Sequence, residues 1–325
     1  MTTDPLDRRH QILALSGGGF RGVFTAAFLA RCEQEWAFDW HERFQLFAGT
    51  SVGALLAAGL AAGRSPADLL EAMKTHGKTI FPARLLHRPR RLFGGAPFRT
   101  APLKAAAEQV LGEHKDTLLS EFPGRLVVTA VDYSRGKTIL FASAGLAGNA
   151  ASRVTIVDAI LASAAAPTFF PMVKIGAYEF ADGGLVANAP DLVALIEAMR
   201  HQRVEVDRSY MLSIGTASWS EGVVLRKKPG RPGIIGSVWG RKLVQTIMAA
   251  QEDLALQQMG VLLSDRHVRI DREPDRLRAA EIRDMDNASD KAFIALQQVA
   301  NQAWDHWQTR QTLSDDHRLS DFFAR

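Results

Sequence analysis

The strongest constraint on this chain is a recurring order of signals: a short apolar run, a glycine turn, then a helix. Ile12–Ser16 runs into Gly17-Gly18-Gly19 and a helix over Val23–Trp36. Phe44–Ala48 runs into Gly49-Thr50-Ser51-Val52-Gly53 and a helix over Ala54–Ala62. Ser65-Pro66 opens a further helix, with serine as N-cap and proline in the first turn. Leu126–Val131 and Thr138–Ala142 alternate as strands around Ser134-Arg135-Gly136, and a helix over Val154–Ala165 stops before Pro167. Val173–Phe180, Tyr210–Ile214 and Val268–Ile270 read as strands, and Pro190–Arg200 as a helix. Near the end, Phe293, Leu296, Ala300, Ala303 and Trp307 recur at helical spacing and predict a helix with one buried face. Strands alternating with helices predict an α/β fold whose mostly parallel sheet is covered on both faces.

Two segments interrupt the rhythm, Thr79–Thr100 with Pro82, Pro89 and Pro97, and Val223–Gly236 with Pro229 and Pro232. Both read as lid-like surface loops, so residues 1–325 are expected to form a single domain. Its motif-bearing part covers about 12–216, with a C-terminal helical part over about 236–325 packed on it. The uncharged run Phe44–Gly63 has 20 residues, but four are glycine and six alanine, unlike the Leu-, Ile- and Phe-rich interior of a membrane span. Met1 to Gln11 is polar and charged, with no signal-peptide core, which predicts a cytoplasmic protein. The lone Cys32 excludes an internal disulfide. Neither a calcium-loop spacing, an HExxH nor a paired Cys/His set is present, so no metal is expected.

Three turns carry chemistry. Gly17-Gly18-Gly19-Phe20-Arg21-Gly22 opens a helix directly after a strand, which aims backbone N–H groups and a helix dipole at one point: an anion site for a phosphate or an oxyanion. Gly17, Gly19 and Gly22 also satisfy the dinucleotide fingerprint, but the acid that would hold a ribose after the second strand is replaced by Gly-Thr-Ser-Val-Gly. That second turn is a G-x-S-x-G at a strand–helix junction, which exposes the Ser51 hydroxyl while Gly49 and Gly53 admit neighbouring backbone. A serine nucleophile needs a base. His201 and His267 lie late enough for a Ser…Asp…His triad, yet both read as surface positions. Asp182-Gly183-Gly184, at a strand end, offers a carboxylate; the commoner fate of such a dipeptide is an ordinary β-turn.

Taken in order, Gly17-Gly18-Gly19-Phe20-Arg21-Gly22, Gly49-Thr50-Ser51-Val52-Gly53 and Asp182-Gly183-Gly184 resemble the patatin-like phospholipases. So does the block Ala162-Ser163-Ala164-Ala165-Ala166-Pro167 followed by Phe170-Pro171. The resemblance spans residues 12 to about 216. It implies a three-layer α/β/α fold and a Ser–Asp dyad of Ser51 and Asp182 without histidine. It also implies an oxyanion hole at Gly17, Gly18 and Gly19, held by Arg21, and no cofactor. Gly22, Gly49, Gly53, Gly183 and Gly184 would support these turns. The one departure is Gly184, where many members have alanine.

The net charge of +4 conceals an uneven distribution. Ala72–Ala107 and Gly222–Gln251 contain no acid and together carry +14, in Lys74, Lys78, Arg84, Arg88, Arg90, Arg91, Arg99, Lys104, Arg226, Lys227, Lys228, Arg231, Arg241 and Lys242. The remainder of the chain carries −10. Solvated loop surface is one reading. The other is attraction to an anionic surface, with Phe81, Leu85, Leu86, Leu92, Phe93, Ile234, Ile235, Val238 and Trp239 entering the interface of a phospholipid membrane. No nucleic-acid-binding module is recognisable. The chain is also similar to the short, leaderless effector phospholipases of CBASS anti-phage systems. That resemblance implies a cyclic di- or trinucleotide activator and peripheral association with the inner membrane. Oligomeric state is not legible. Three readings stand: a lipid acyl hydrolase, a triad carboxylesterase, and a nucleotide-binding module built on the glycine loop.

Overall fold

The structure is a computed structural model. It describes residues 9–83, 96–146, 153–218, 236–313 and 318–323, with side chains described for all of these except 236–243, 276–277 and 312–313. An eight-stranded sheet is flanked by helices on both faces. Its strands are β1 (His10–Leu15), β2 (Leu46–Gly49), β3 (Leu126–Asp132), β4 (Lys137–Ala142), β5 (Val173–Ile175), β6 (Tyr178–Asp182), β7 (Ser209–Ile214) and β8 (His267–Ile270), in the order β5-β6-β3-β2-β1-β7-β8, with β4 paired to β3. The run from β3 to β8 is parallel, and β4, β5 and β6 pair antiparallel.

Side-chain alternation along β1 sorts the two layers. Leu13 and Leu15 face a large core that packs α1 (Gly22–Trp36), α2 (Val52–Ala61), α3 (Pro66–Ile80), α4 (Thr100–Leu111), α5 (Ile156–Ser163) and α8 (Asp290–Leu313). Ile12 and Ala14 face a smaller core under α6 (Asp191–His201) and α7 (Gly236–Leu263). The expected three-layer α/β/α arrangement with a mostly parallel sheet is therefore observed. The N-cap on Ser65 is also observed, its hydroxyl accepting from the Asp68 amide at 3.1 Å. The buried stripe of α8 is present as well, with Leu296, Ala300 and Ala303 in the core.

One predicted element is different. Val173–Phe180 is not one strand but the hairpin β5–β6, folded at Gly176, whose φ of +61° is a left-handed conformation natural to glycine. The hairpin has a functional consequence, because β6 returns antiparallel to β3 and delivers Asp182 opposite Ala130. On the other side of β3, Gly49 pairs with Val128. Ser51, two residues past Gly49, and Asp182, opposite Ala130, therefore both come to the same end of β3. The loop readings also change where residues are described. Thr79 and Ile80 complete α3, and Phe81 and Phe98 pack edge-on at 5.3 Å, with Phe81 also against Phe170 at 5.9 Å. Phe81 is thus partly buried against the core. The other apolar residues expected in that role, and the basic residues from Arg84 to Arg91 and from Arg226 to Lys242, lie outside the described side chains. No described helix is long and apolar enough to cross a membrane.

Candidate active site

Ser51 occupies the corner between β2 and α2 with φ 55° and ψ −122°, a conformation that a side-chain-bearing residue adopts only under constraint. The constraint comes from the two glycines. A Cβ on Gly49 would lie 2.3 Å from the Gly53 carbonyl oxygen, and one on Gly53 would lie 2.1 Å from the Leu15 oxygen. Backbone runs through the space that side chains would need. Thr50 fastens the corner from below, donating its hydroxyl to the Ala187 carbonyl at 2.6 Å and lying 2.7 Å from the Thr129 hydroxyl.

Asp182 is buried, and both it and Ser51 line the same cavity, with Ser51 near enough to lower the carboxyl's pKa. Burial drives its pKa up to about 6, although the Gly184 N–H, donating at 2.6 Å, and Ser51 both pull it down. A carboxylate so shifted is a better proton acceptor than an exposed aspartate, while remaining ionised above about pH 6. Gly183 is required where it stands: a Cβ there would lie 2.3 Å from the Thr129 carbonyl oxygen. At Gly184 the space that alanine would use is filled by the Met248 methyl, 2.4 Å from where a Cβ would stand, with Asp182 Oδ1 at 2.9 Å.

Ser163 supplies a link that the sequence did not disclose. Its buried hydroxyl accepts from the Ser51 N–H at 2.8 Å, and its carbonyl accepts from the Gly183 N–H at 3.2 Å. One residue at the end of α5 therefore ties both halves of the pair together. The block that contains it stands out in the sequence; its geometry does not.

The glycine turn lies alongside. A Cβ on Gly17 would be 3.3 Å from the Ser51 Cβ, and one on Gly22 2.6 Å from Val52. Gly19 takes φ +59°, and a Cβ there would lie 2.5 Å from the Met285 carbonyl oxygen. The expectation of three oxyanion donors is narrowed here. The Gly17 N–H already donates to the Asn188 carbonyl at 3.0 Å, whereas the amides of Gly18 and Gly19 have no hydrogen-bond partner among the described residues. Arg21 sits behind the loop; burial lowers its pKa, while the charges of Asp271 and Glu252 oppose that change.

Gly18, Gly19, Ser51 and Asp182 share the wall of a narrow cavity of about 60 Å³ whose other walls are largely apolar, among them Leu56, Met73, Leu103 and Phe170. Such a slot suits a hydrocarbon chain. Beyond β2 stands the Ser51 corner, not the ribose-binding acid of a dinucleotide fold.

The two late histidines are elsewhere. His201 is exposed at the end of α6. His267, read as a surface residue, is buried: its Nε2 lies 2.9 Å from Asp191 Oδ1, and both side chains are shielded. Burial raises the Asp191 carboxyl, but the hydrogen bond and charge of His267 outweigh it and hold the pKa below the usual value. This pair cannot serve Ser51. His267 begins β8, in register with Met211, Ile12 and Leu46. It is thus three strands away, roughly 14 Å across, and at the opposite rim of the sheet. Among the basic residues with described surroundings, Lys74, Lys78 and Lys104 make exposed ion pairs with Glu71, Asp290 and Glu108 at 3.7, 2.7 and 3.7 Å.

A family model described as patatin-like phospholipase matches residues 13–195. The cGAMP-activated phospholipase of Pseudomonas aeruginosa is 38% identical over 170 residues, which cover 51% of this chain and 49% of the relative. The cGAMP-activated phospholipase of Escherichia coli is 34% identical over 173 residues, covering 50% and 48%. The chain spans about half the length of the curated relatives it matches. Among solved structures, VipD from Legionella pneumophila aligns over 91% of this chain and 67% of its own, at 12% identity and a TM-score of 0.43. With the family model spanning more than half of its length and all four motifs inside or beside that span, the chain belongs to the patatin-like phospholipase family.

Proposed function

We propose that the chain is a serine lipid acyl hydrolase of phospholipase A type, with Ser51 as nucleophile and Asp182 as base. The observation that carries this reading is that Ser51, on its strained corner, and the buried carboxylate of Asp182 line the same largely apolar slot. As Ser51 Oγ attacks the ester carbonyl, Asp182 takes its proton, and the amides of Gly18 and Gly19 receive the negative oxygen. Collapse of the tetrahedral centre transfers the proton from Asp182 to the departing lysolipid oxygen, leaving an acyl ester on Ser51. Asp182 then accepts a proton from water, the resulting hydroxide attacks the acyl carbon, and the proton returns to Ser51 as fatty acid leaves. Residues 1–325 are taken to act as one unit, since α7 contributes Met248 beside Gly184 and Gln251 to the Gly184 carbonyl at 3.3 Å.

Catalysis is further proposed to be switched by a cyclic di- or trinucleotide, at the inner face of a membrane and as part of antiviral defence. Similarity to two bacterial cGAMP-activated phospholipases supports a cyclic dinucleotide activator. The acid-free segments 72–107 and 222–251 supply chemistry for its phosphates or for lipid headgroups.

The test is fatty-acid release from phosphatidylethanolamine–phosphatidylglycerol vesicles, with and without a panel of cyclic di- and trinucleotides, alongside fluorophosphonate labelling. Label on Ser51 with nucleotide-dependent release is expected. Release that never depends on a nucleotide removes the switch and leaves the hydrolase; no label and no release under any condition overturns both. Exchange of His201 for alanine should leave the rate unchanged. Because the proton acceptor must be ionised, kcat/KM should rise as pH passes about 6 and level off above it. An acid limb near pH 4, as for an exposed aspartate, would contradict the assignment.

A further inference from the structure

The glycine turn can stabilise an oxyanion only if the peptide between Gly17 and Gly18 faces the right way. In a trans peptide the carbonyl and the N–H point in opposite directions, so whatever holds the Gly17 oxygen also aims the Gly18 hydrogen. That oxygen is held by two buried side chains: the Thr216 hydroxyl donates to it at 3.2 Å and the Asn188 side-chain amide at 3.4 Å. The same Asn188 accepts the Gly17 N–H through its backbone carbonyl at 3.0 Å. The peptides on both sides of Gly17 are therefore held, the one before it through its N–H and the one after it through its carbonyl.

Asn188 is itself fixed from α7. Its amide donates to Glu252 Oε2 at 2.6 Å, and Glu252 Oε1 accepts from Arg269 at 2.6 Å and from the Ser16 hydroxyl at 3.3 Å. Arg269 donates further to Ser16 at 2.9 Å, Ser213 at 2.8 Å and Asp271 at 3.1 Å. Burying an ion pair is a poor way to gain stability, because desolvation offsets most of the attraction. This one stands directly behind the turn that must not rotate.

We infer that Thr216 and Asn188, braced by Glu252 and Arg269, are positioning residues that lock the Gly17–Gly18 peptide with its N–H toward the developing oxyanion. The inference rests on the proposed Ser51–Asp182 hydrolase. Neither residue touches the reacting atoms; they act through the peptide plane. Thr216 also closes the rear of the turn, since a Cβ on Gly18 would lie 2.6 Å from its Cβ.

The experiment compares Thr216→Val, Thr216→Ser and Asn188→Leu with the parent enzyme. It measures kcat and KM on a soluble acyl ester, inhibition by a trifluoromethyl ketone that forms a tetrahedral adduct, and thermal unfolding. Thr216→Val should lower kcat by about 10–100-fold, less than deleting an oxyanion donor outright, and leave KM within about threefold. Affinity for the ketone should fall by the same factor as kcat, and Thr216→Ser should restore both. Asn188→Leu should match or exceed the valine variant. Unchanged kcat and ketone affinity in both Thr216→Val and Asn188→Leu would overturn the inference. So would a loss that follows thermal stability or KM while the ketone binds as before. If the parent hydrolyses and Ser51→Ala does not, those outcomes sink the positioning role alone. A parent that, with the cyclic di- and trinucleotide panel present, neither hydrolyses the ester nor binds the ketone sinks the hydrolase reading as well.

Discussion

Replacing Asp182 by asparagine should silence ester hydrolysis and, at about pH 7.5, give a protein more stable than the parent. The first effect follows from the loss of the proton acceptor: the amide cannot take the Ser51 proton, and general-base removal costs up to about 10⁴-fold. The second follows from linkage. The folded-state pKa of Asp182 is raised from 3.8 to about 6, so the folded protein binds this proton more tightly than the unfolded chain does. Stability therefore falls as pH rises through that window, and above about pH 6 the folded state carries the whole cost of an ionised, desolvated carboxylate. At 1.36 kcal/mol per pKa unit, that cost is about 3 kcal/mol. Asparagine keeps an oxygen for the Gly184 N–H and carries no charge, so it escapes the cost. Its unfolding midpoint should rise by about 4 °C at about pH 7.5, and the advantage should disappear below about pH 4. Equal midpoints at both pH values would mean that burial does not hold Asp182 in the state described. Retained hydrolysis would remove it from the mechanism.

What could be read from the sequence divides along a physical line. The Ser51 corner, the glycine turn and Asp182-Gly183-Gly184 were legible because each depends on a local backbone demand. Close approach to Leu15 and Thr129 admits only glycine, and such demands leave marks on consecutive residues. The meeting of Ser51 and Asp182 was implied by family resemblance. The register of β2 and β6 on either side of β3 supplies its geometry. Thr216, Asn188, Glu252 and Arg269 were not legible. They lie on separate segments and converge only in space, so no spacing records their hydrogen bonds. His267 was misread because Asp265 and Arg266 made its neighbourhood look wet, whereas it opens a strand covered by Asp191 of α6. The hairpin at Gly176 was missed for the opposite reason: Val173–Phe180 is apolar enough to pass for one strand, and its turn contains one glycine and no proline or asparagine.

Gly53→Ala should separate the two halves of the site even though neither proposed catalytic residue is altered. The new methyl would lie 2.1 Å from the Leu15 oxygen and 2.7 Å from the Ser16 oxygen, backbone atoms at the end of β1 that cannot rotate aside. Relief requires α2 to withdraw from β1. But Ser51 leads into α2, and the oxyanion turn begins where β1 ends. Withdrawal therefore moves the nucleophile away from Gly17, whose Cβ position is now 3.3 Å from that of Ser51. Overpacking against fixed backbone costs about 3 kcal/mol or more, so the urea midpoint should fall sharply. In molecules that remain folded, hydrolysis should fall by more than the folded fraction accounts for. Gly136→Ala is the matched control. Its φ of +64° gives alanine a conformational cost, but no atom lies within 4 Å of the added Cβ. It should lose only about 1 kcal/mol and keep full activity. The contrast isolates the cause: if both substitutions behave alike, the left-handed or tight turns matter as turns, and the close approach of α2 to β1 does not set the geometry at Ser51.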